Sequence, residues 1–267
     1  MKGCKDGMRS SKDKAIIHLW NYLNTYIDNN LRQTKTWGER SRIVDFYCKG
    51  KGIEIGASCY PVPIYNQEIK VQYLDHIDRN VTHDMKAGKG LQYVKVDIID
   101  DVERLDKIKA RTLDFIIMCH VLEHTRNPIG IIENCLSKLK CGGKLVITIP
   151  DKRFIFDKNR PLTTWEHLVD DYREINDEKD LQHMIEYLIM SNEYDEKFAY
   201  EEAKKRIQAD YRPHYHVWDM NSFYDFLNRI NGVIKEKSLI IHYSQNKLNQ
   251  GRSGREIIAV LEKVRKE

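Results

Sequence analysis

"KGIEIGASCYP", residues 51–61, is a short buried strand that stops at Gly56 and continues into small residues and proline. Ile53 and Ile55 flank Glu54, and the turn that follows carries almost no side chain. Glycine at such a point lets the main chain come close to something else, so the turn reads as room left for a ligand. The segments downstream decide which architecture carries it.

"KVQYLDHID" (70–78) and "LQYVKVDII" (91–99) read as a second and a third strand. "TLDFIIMCHV" (112–121) is a continuous apolar run, the pattern of a strand covered on both faces. A helix is predicted over 128–140, with Asn127 as N-cap, Pro128 at the first helical position and Gly142 and Gly143 ending it. "GKLVITIP" (143–150) is the fifth strand. Strands alternating with helices predict an α/β fold with a doubly wound, mostly parallel sheet. A helix over 221–230, then "KEKSLIIHYS" and "GREIIAVLEK" joined by the polar loop 245–254, add an antiparallel pair and bring the sheet to seven strands.

The core is therefore expected in residues 46–150 and 221–267. Residues 151–220, rich in Asp, Glu, Arg, Tyr and His, read as a helical insert that binds substrate. Residues 1–45 read as an N-terminal helical segment, in which Ile16, Trp20, Leu23, Ile27 and Leu31 form one apolar face over 13–32.

A chain of 267 residues that is 41% apolar can bury a substantial core. No stretch approaches the ~20 apolar residues of a membrane span, and the polar, basic start lacks the apolar run of a secretory signal, so a cytoplasmic location is expected. The net charge of +4 is too small to argue for nucleic acid, and residues 170–205 hold twelve acidic side chains against five basic ones, which would repel a phosphate backbone. Cys4, Cys48, Cys59, Cys119, Cys135 and Cys141 form no CxxC pair, so no metal site is expected from them.

In open α/β sheets a ligand lies beyond the carboxyl ends of the strands. The first strand brings Glu54 and Gly56-Ala57-Ser58 to that edge, the second Asp75, the third Asp97 and the fourth Cys119-His120. Asp75 stands 19 residues after Gly56, a spacing that suits the paired hydroxyls of a ribose, and Asp97 is a candidate acceptor for an exocyclic amine. A dinucleotide site wants GxGxxG, but here Gly56 is followed by Ser58, Pro61 and Pro63, so no phosphate cradle is visible. Adenosine without phosphates fits better.

With "IEIGAS", Asp75, Asp97 and "LDFIIMCHVLEH" followed by "NP", a helix and "LKCGGKLVITIP", residues 50–150 resemble the class I S-adenosylmethionine-dependent methyltransferases. The resemblance implies S-adenosyl-L-methionine as cofactor, lined by Glu54, Gly56, Ala57, Ser58, Asp75, His76, Asp97, Ile98, Cys119 and His120. One glycine stands in the first motif where many members have two or three. "IGASCYPVP", "LDHID", "HVLEH", "IPDKRFIFDKNRPLTTWEHLVDDY" and "HYHVW" together resemble a narrower bacterial subgroup associated with surface-polysaccharide assembly, which implies a carbohydrate-related acceptor.

Methyl transfer from a sulfonium is an in-line displacement, and an alcohol acceptor benefits from a base. His124 and His216 are the candidate bases; each has a structural alternative, capping or packing for His124 and a corner packed on Trp218 for His216. His120 and His124 are four apart in "HVLEH" and are expected to share a helical face, but no third metal ligand is visible beside them. Asp151, Lys152, Arg153, Arg160, His167 and His214 are the candidate acceptor-binding residues, with His167 also readable as part of a helix start capped by Thr163 or Thr164. His18, His83, His183 and His242 show no constellation. The leading reading is O-methylation of a sugar or surface-polysaccharide precursor; N-methylation of a small amine and a catalytically inactive nucleoside-binding scaffold are the alternatives. A homo-oligomer stays open.

Overall fold

The computed structural model describes residues 35–78, 93–248 and 254–265. The helix predicted over 13–32 lies outside them. Helix α1 (Lys35–Tyr47) leads into β1 (Gly50–Ile55), followed by β2 (Ile69–Asp75), β3 (Ile98–Ile99) and β4 (Leu113–Cys119). Then come α2 (Pro128–Lys138), β5 (Leu139–Pro150), the insert helices α3 (Trp165–Arg173), α4 (Asp177–Met190) and α5 (Glu196–Gln208), and finally α6 (Met220–Arg229), β6 (Lys237–Leu248) and β7 (Gly254–Val264).

The seven strands form one sheet in the order β3-β2-β1-β4-β5-β7-β6. Strands β1 to β5 pair in parallel, and β7 runs antiparallel between β5 and β6. The order reverses between β1 and β4, which opens a crevice at their carboxyl ends.

The strand sequences explain why both faces are covered. On β4, Ile116 and Met118 join the cluster under α2 and α6, while Phe115 and Ile117 join the opposite cluster with Ile43 and Val44 of α1. A strand with apolar residues at every position needs a layer on each side, and the fold supplies both. In the insert, Met184, Tyr187 and Leu188 of α4 pack on Ala199 and Ala203 of α5 as a separate small core.

Local boundaries differ from expectation at two strands. Among the described residues the third strand shrinks to Ile98–Ile99, where the Asp97 carboxylate accepts the Tyr73 N–H at 2.9 Å, a side chain taking a ladder position at the sheet edge. The fifth starts at Leu139, before the paired glycines, and Gly142 sits inside it with φ +80°. The helix before it ends at Lys138 instead of running to 140. Asn127 caps that helix as expected, its Oδ1 accepting Gly130 N–H at 2.8 Å.

Candidate active site

The turn after β1 faces the turn after β4. Gly56 has φ +68°, and a Cβ built on it would stand 2.7 Å from Val121 Cγ2. Only glycine combines that left-handed backbone with so little clearance. Ser58 repeats the left-handed conformation at φ 53° and its carbonyl accepts Val94 N–H at 2.9 Å, which ties the turn to the stretch before β3. Ala57 is buried beside it.

Glu54 lies just behind, almost fully buried, and its carboxylate accepts Val62 N–H at 3.0 Å. Burial pushes this carboxyl up to about 8, against the pull of the Val62 N–H and Arg40. One strand over, Asp75 ends β2, where its Oδ1 accepts the His76 N–H and lies 2.8 Å from His76 Nδ1. Gly56, Asp75 and His76 thus meet at one edge. Asp97 does not: it precedes β3 and its carboxylate is engaged by Tyr73. Asp100 is the acid that follows β3, its N–H donating to the Asp75 carbonyl at 3.0 Å, and no motif marked it. Ile98 is half-buried in β3.

After β4 the chain departs from a helical turn. His120 has φ 53°, and only Leu122–His124 form a short 3-10 turn, so His120 and His124 do not share a helical face. The His120 ring bridges two acids, with Nε2 3.0 Å from Glu256 on β7 and Nδ1 3.4 Å from Glu123. Burial works against protonation of His120, yet Glu123 and Glu256 outweigh it and hold the imidazole above its ordinary value. Glu256 also receives Arg40 from α1, whose guanidinium Nε lies 3.0–3.1 Å from its two oxygens. Cys119 lies beneath; burial pushes its thiol up to about 12.

His124 points the other way. Its Nδ1 lies 2.9 Å from the Arg212 carbonyl and 3.0 Å from that of Pro213, so Nδ1 carries the proton and Nε2 is left with a lone pair. Burial lowers its pKa, with Glu123 opposing and His214 adding to the effect. The ring packs edge-on against His214, centroids 4.6 Å apart, and His214 Nδ1 donates to buried Asp157 at 2.5 Å. Glu123, His124 and His214 each offer a ligand atom within 4.8 Å of the others. Glu123 and His124 of "HVLEH" thus meet His214, ninety residues downstream of His124 in chain order, and His120 is not part of the group. Glu123 is buried, and beyond the 3.4 Å approach of His120 Nδ1 its carboxylate oxygens have no hydrogen-bond partner among the described residues.

His124 opens onto a cavity of about 210 Å³ between core and insert, lined also by Glu103, Arg126, Asp180, Arg212 and Tyr215. A larger cavity, about 550 Å³, is lined by Arg111, Cys141, Lys235 and Lys263 at the amino edge of the sheet. It lies across the sheet from every group described above.

Several expected acceptor-binding residues are turned inward. Asp151 has no exposed surface and holds Arg153 through Nε and Nη2 at 2.9 and 2.6 Å, along with Gln245. Lys152 is buried, its ammonium donating to the Lys158 carbonyl at 3.0 Å. Arg160 clasps Glu186, Asp157 and the carbonyls of His214 and Tyr215. These charges brace the start of the insert, because a buried cation needs partners on hand. Arg153 alone of them is exposed, over the Phe154 ring.

His216 is also not placed as a base. It is fully buried, with Nδ1 3.2 Å from the Thr125 carbonyl and Nε2 3.0 Å from Asp171 Oδ2, and burial pushes it down to about 4 despite Asp171. His167 is capped into α3 through Thr164 Oγ1, which accepts its N–H at 3.2 Å, and its ring also reaches Asp171. His183, which showed no constellation in sequence, completes this second group.

Residues 38–187 match a family model described as a methyltransferase domain. Among solved structures, a candidate S-adenosylmethionine-dependent methyltransferase from Listeria monocytogenes aligns over 86% of this chain and 98% of its own, with TM-score 0.50 and 12% identity. A SAM-dependent methyltransferase from Aquifex aeolicus aligns over 90% of this chain and 97% of its own, with TM-score 0.44 and 12% identity. The CurJ carbon methyltransferase aligns over 82% of this chain, which spans 50% of that longer protein, with TM-score 0.42 and 12% identity. At such identities the Listeria likeness speaks to the fold. No curated protein gives a significant match.

Proposed function

Since the chain belongs to the family of methyltransferase domains, we propose that it transfers a methyl group from S-adenosylmethionine to the hydroxyl of a small, carbohydrate-related acceptor. The observation that carries the cofactor reading is the Gly56 turn, where a Cβ would meet Val121 at 2.7 Å on the edge to which β2 brings Asp75. Such a cradle fits a nucleoside with a small, phosphate-free extension. Gly56 and Ala57 would take the methionine portion, Asp75 the ribose hydroxyls and Ile98 the adenine side. When bound, the sulfonium supplies an electrophilic methyl group.

The protein's own task is to align the acceptor and manage its proton. His124 is suited to the second part. Its Nδ1–H is fixed by two carbonyls, its Nε2 lone pair is free to accept, and burial keeps the ring neutral near pH 7. His214, oriented by Asp157, stands beside it as a second basic nitrogen. The polar 210 Å³ cavity supports a hydroxyl-rich acceptor, and the surface-polysaccharide assignment rests on the resemblance of the sequence motifs. N-methylation is the second reading, favoured by Glu103, Asp180 and Asp210 around the same cavity.

Thermal-shift titration with S-adenosylmethionine and S-adenosylhomocysteine, with NAD and ATP as controls, tests the cofactor. Both sulfur nucleosides should stabilise the protein in proportion to the logarithm of their excess, and Asp75→Ala should abolish the effect. Stabilisation by NAD alone would overturn the assignment. With binding established, turnover of sugar hydroxyls and amines is compared. Hydroxyl transfer should rise with pH through a value below that of an ordinary histidine and collapse in His124→Gln. Exclusive amine turnover would select the second reading, and no turnover with either acceptor class would favour a scaffold.

A further inference from the structure

His167, Asp171, His183 and His216 converge from three separate elements. His167 and Asp171 lie one turn apart on α3, His183 is on α4, and His216 stands on the segment entering α6. All three Nε2 atoms approach one oxygen, Asp171 Oδ2, at 3.2, 3.3 and 3.0 Å respectively. One ligand atom from each of the four residues lies within 4.8 Å of all the others.

We infer that these four residues form a tetrahedral site for a zinc-class divalent cation, which fastens the insert helices to the turn after β4. Two independent lengths agree with that geometry. Bonds of about 2.05 Å to a tetrahedral zinc put ligand atoms about 3.3 Å apart, close to the nitrogen–oxygen distances above. The same centre places imidazole centroids about 3.2 Å from the metal and so about 5.2 Å from one another. The three rings stand 4.9, 5.1 and 5.6 Å apart, centroid to centroid.

Protons alone serve this arrangement poorly. His216 Nδ1 faces the Thr125 carbonyl at 3.2 Å, and a carbonyl can only accept, so Nδ1 carries the hydrogen. In neutral His216 the Nε2 lone pair then points at a carboxylate oxygen 3.0 Å away, two acceptors face to face. A cation between them resolves the conflict. The backbone hydrogen bond on the far side of the ring is the outer-shell contact that fixes the metal-binding tautomer. Asp171, His183 and His216 are buried and only His167 is exposed, so the four-ligand set has the closed character of a structural zinc site. Lys179 Nζ, 3.6 Å from Asp171 Oδ1, holds the other carboxylate oxygen. The group Glu123, His124 and His214 differs in kind, having three ligands beside the cleft.

The test uses the untagged full chain. Metal content is measured by inductively coupled plasma mass spectrometry, the metal is removed with a chelator, and Co²⁺ is titrated back. About one zinc per chain is expected, with intense visible ligand-field bands of tetrahedral Co²⁺ that Zn²⁺ displaces, and a melting temperature that falls on chelation and recovers with Zn²⁺. His167→Ala, at the exposed ligand, should fold and bind Co²⁺ at least about tenfold more weakly, the loss that even an outer-shell change causes. His214→Gln should leave the Co²⁺ bands unchanged. A metal-free protein whose melting temperature ignores Zn²⁺ and which gives no Co²⁺ bands overturns the proposal. So does binding that survives His167→Ala but is lost in His214→Gln.

Discussion

Replacing Gly56 with alanine strikes the turn at two points whose costs can be separated. The residue has φ +68°, where a Cβ costs about 1–2 kcal/mol. The new methyl would also stand 2.7 Å from Val121 Cγ2, roughly 0.8 Å inside the ~3.5 Å optimum for two carbons. Val121 is packed against the main core, so relief requires movement of the turn after β4, an overpacking cost of about 1–3 kcal/mol. Together they predict a loss of about 2–5 kcal/mol in urea unfolding, or a melting temperature lower by roughly 4–20 °C. The clash part belongs to one methyl on the partner. Gly56→Ala combined with Val121→Ala should recover about 1–2 kcal/mol relative to the sum of the single changes, leaving the backbone part. S-adenosylhomocysteine titrated by calorimetry should bind Gly56→Ala at least about tenfold more weakly, a loss of about 1.4 kcal/mol. A cost below about 0.5 kcal/mol in Gly56→Ala, or strict additivity in the double variant, would refute the reading of this turn as a close-approach device.

Two further outcomes follow from the buried acids. Glu54 is raised from 4.5 to about 8 chiefly by burial, so the native state holds its proton more tightly than the unfolded chain; the stability this contributes is complete below about pH 4.5 and is lost as pH rises through about 8. Glu54→Gln, neutral throughout, should flatten urea stability between pH 5 and 9, and parallel curves for the two proteins would contradict the burial account. Asp157, fully buried, receives His214, Ser191 and Arg160, so Asp157→Asn leaves a cation underpaired and should cost about 3–5 kcal/mol in denaturant unfolding. A loss under about 1 kcal/mol would mean that these contacts do not brace the insert.

What the sequence disclosed was local and what it hid was assembled at a distance. The apolar run of β4 and the glycine after β1 were legible because strand burial and left-handed turns are written in neighbouring residues. Asn127 was legible as a cap for the same reason, and so was a threonine cap at Thr163 or Thr164, of which the structure uses Thr164. The inward turn of Asp151, Lys152 and Arg160 was not, since a charged loop residue looks the same whether it meets solvent or a buried partner. His120 escaped the helical reading because its positive φ leaves no mark on its side chain. The histidine group of the insert was hidden by its spread over residues 167 to 216, although His167 and Asp171 at i and i+4 on a helix, with "HYH" downstream, were its one visible trace.

The clasp of Arg40 on Glu256 joins residues 216 apart, and β7, which carries Glu256, lies inside the sheet between β5 and β6. During synthesis every other described element leaves the ribosome before the strand that fills this interior gap. Until it arrives, β5 presents an open edge, and Arg40 and His120 lack their shared carboxylate. The carboxyl edge that holds Gly56, Asp75 and His124 therefore gains its Glu256 brace last, from a strand that contributes none of those three residues. From the emergence of β5 until β7 follows it about a hundred residues later, a nascent chain exposes that unpaired edge to chaperones and to other chains.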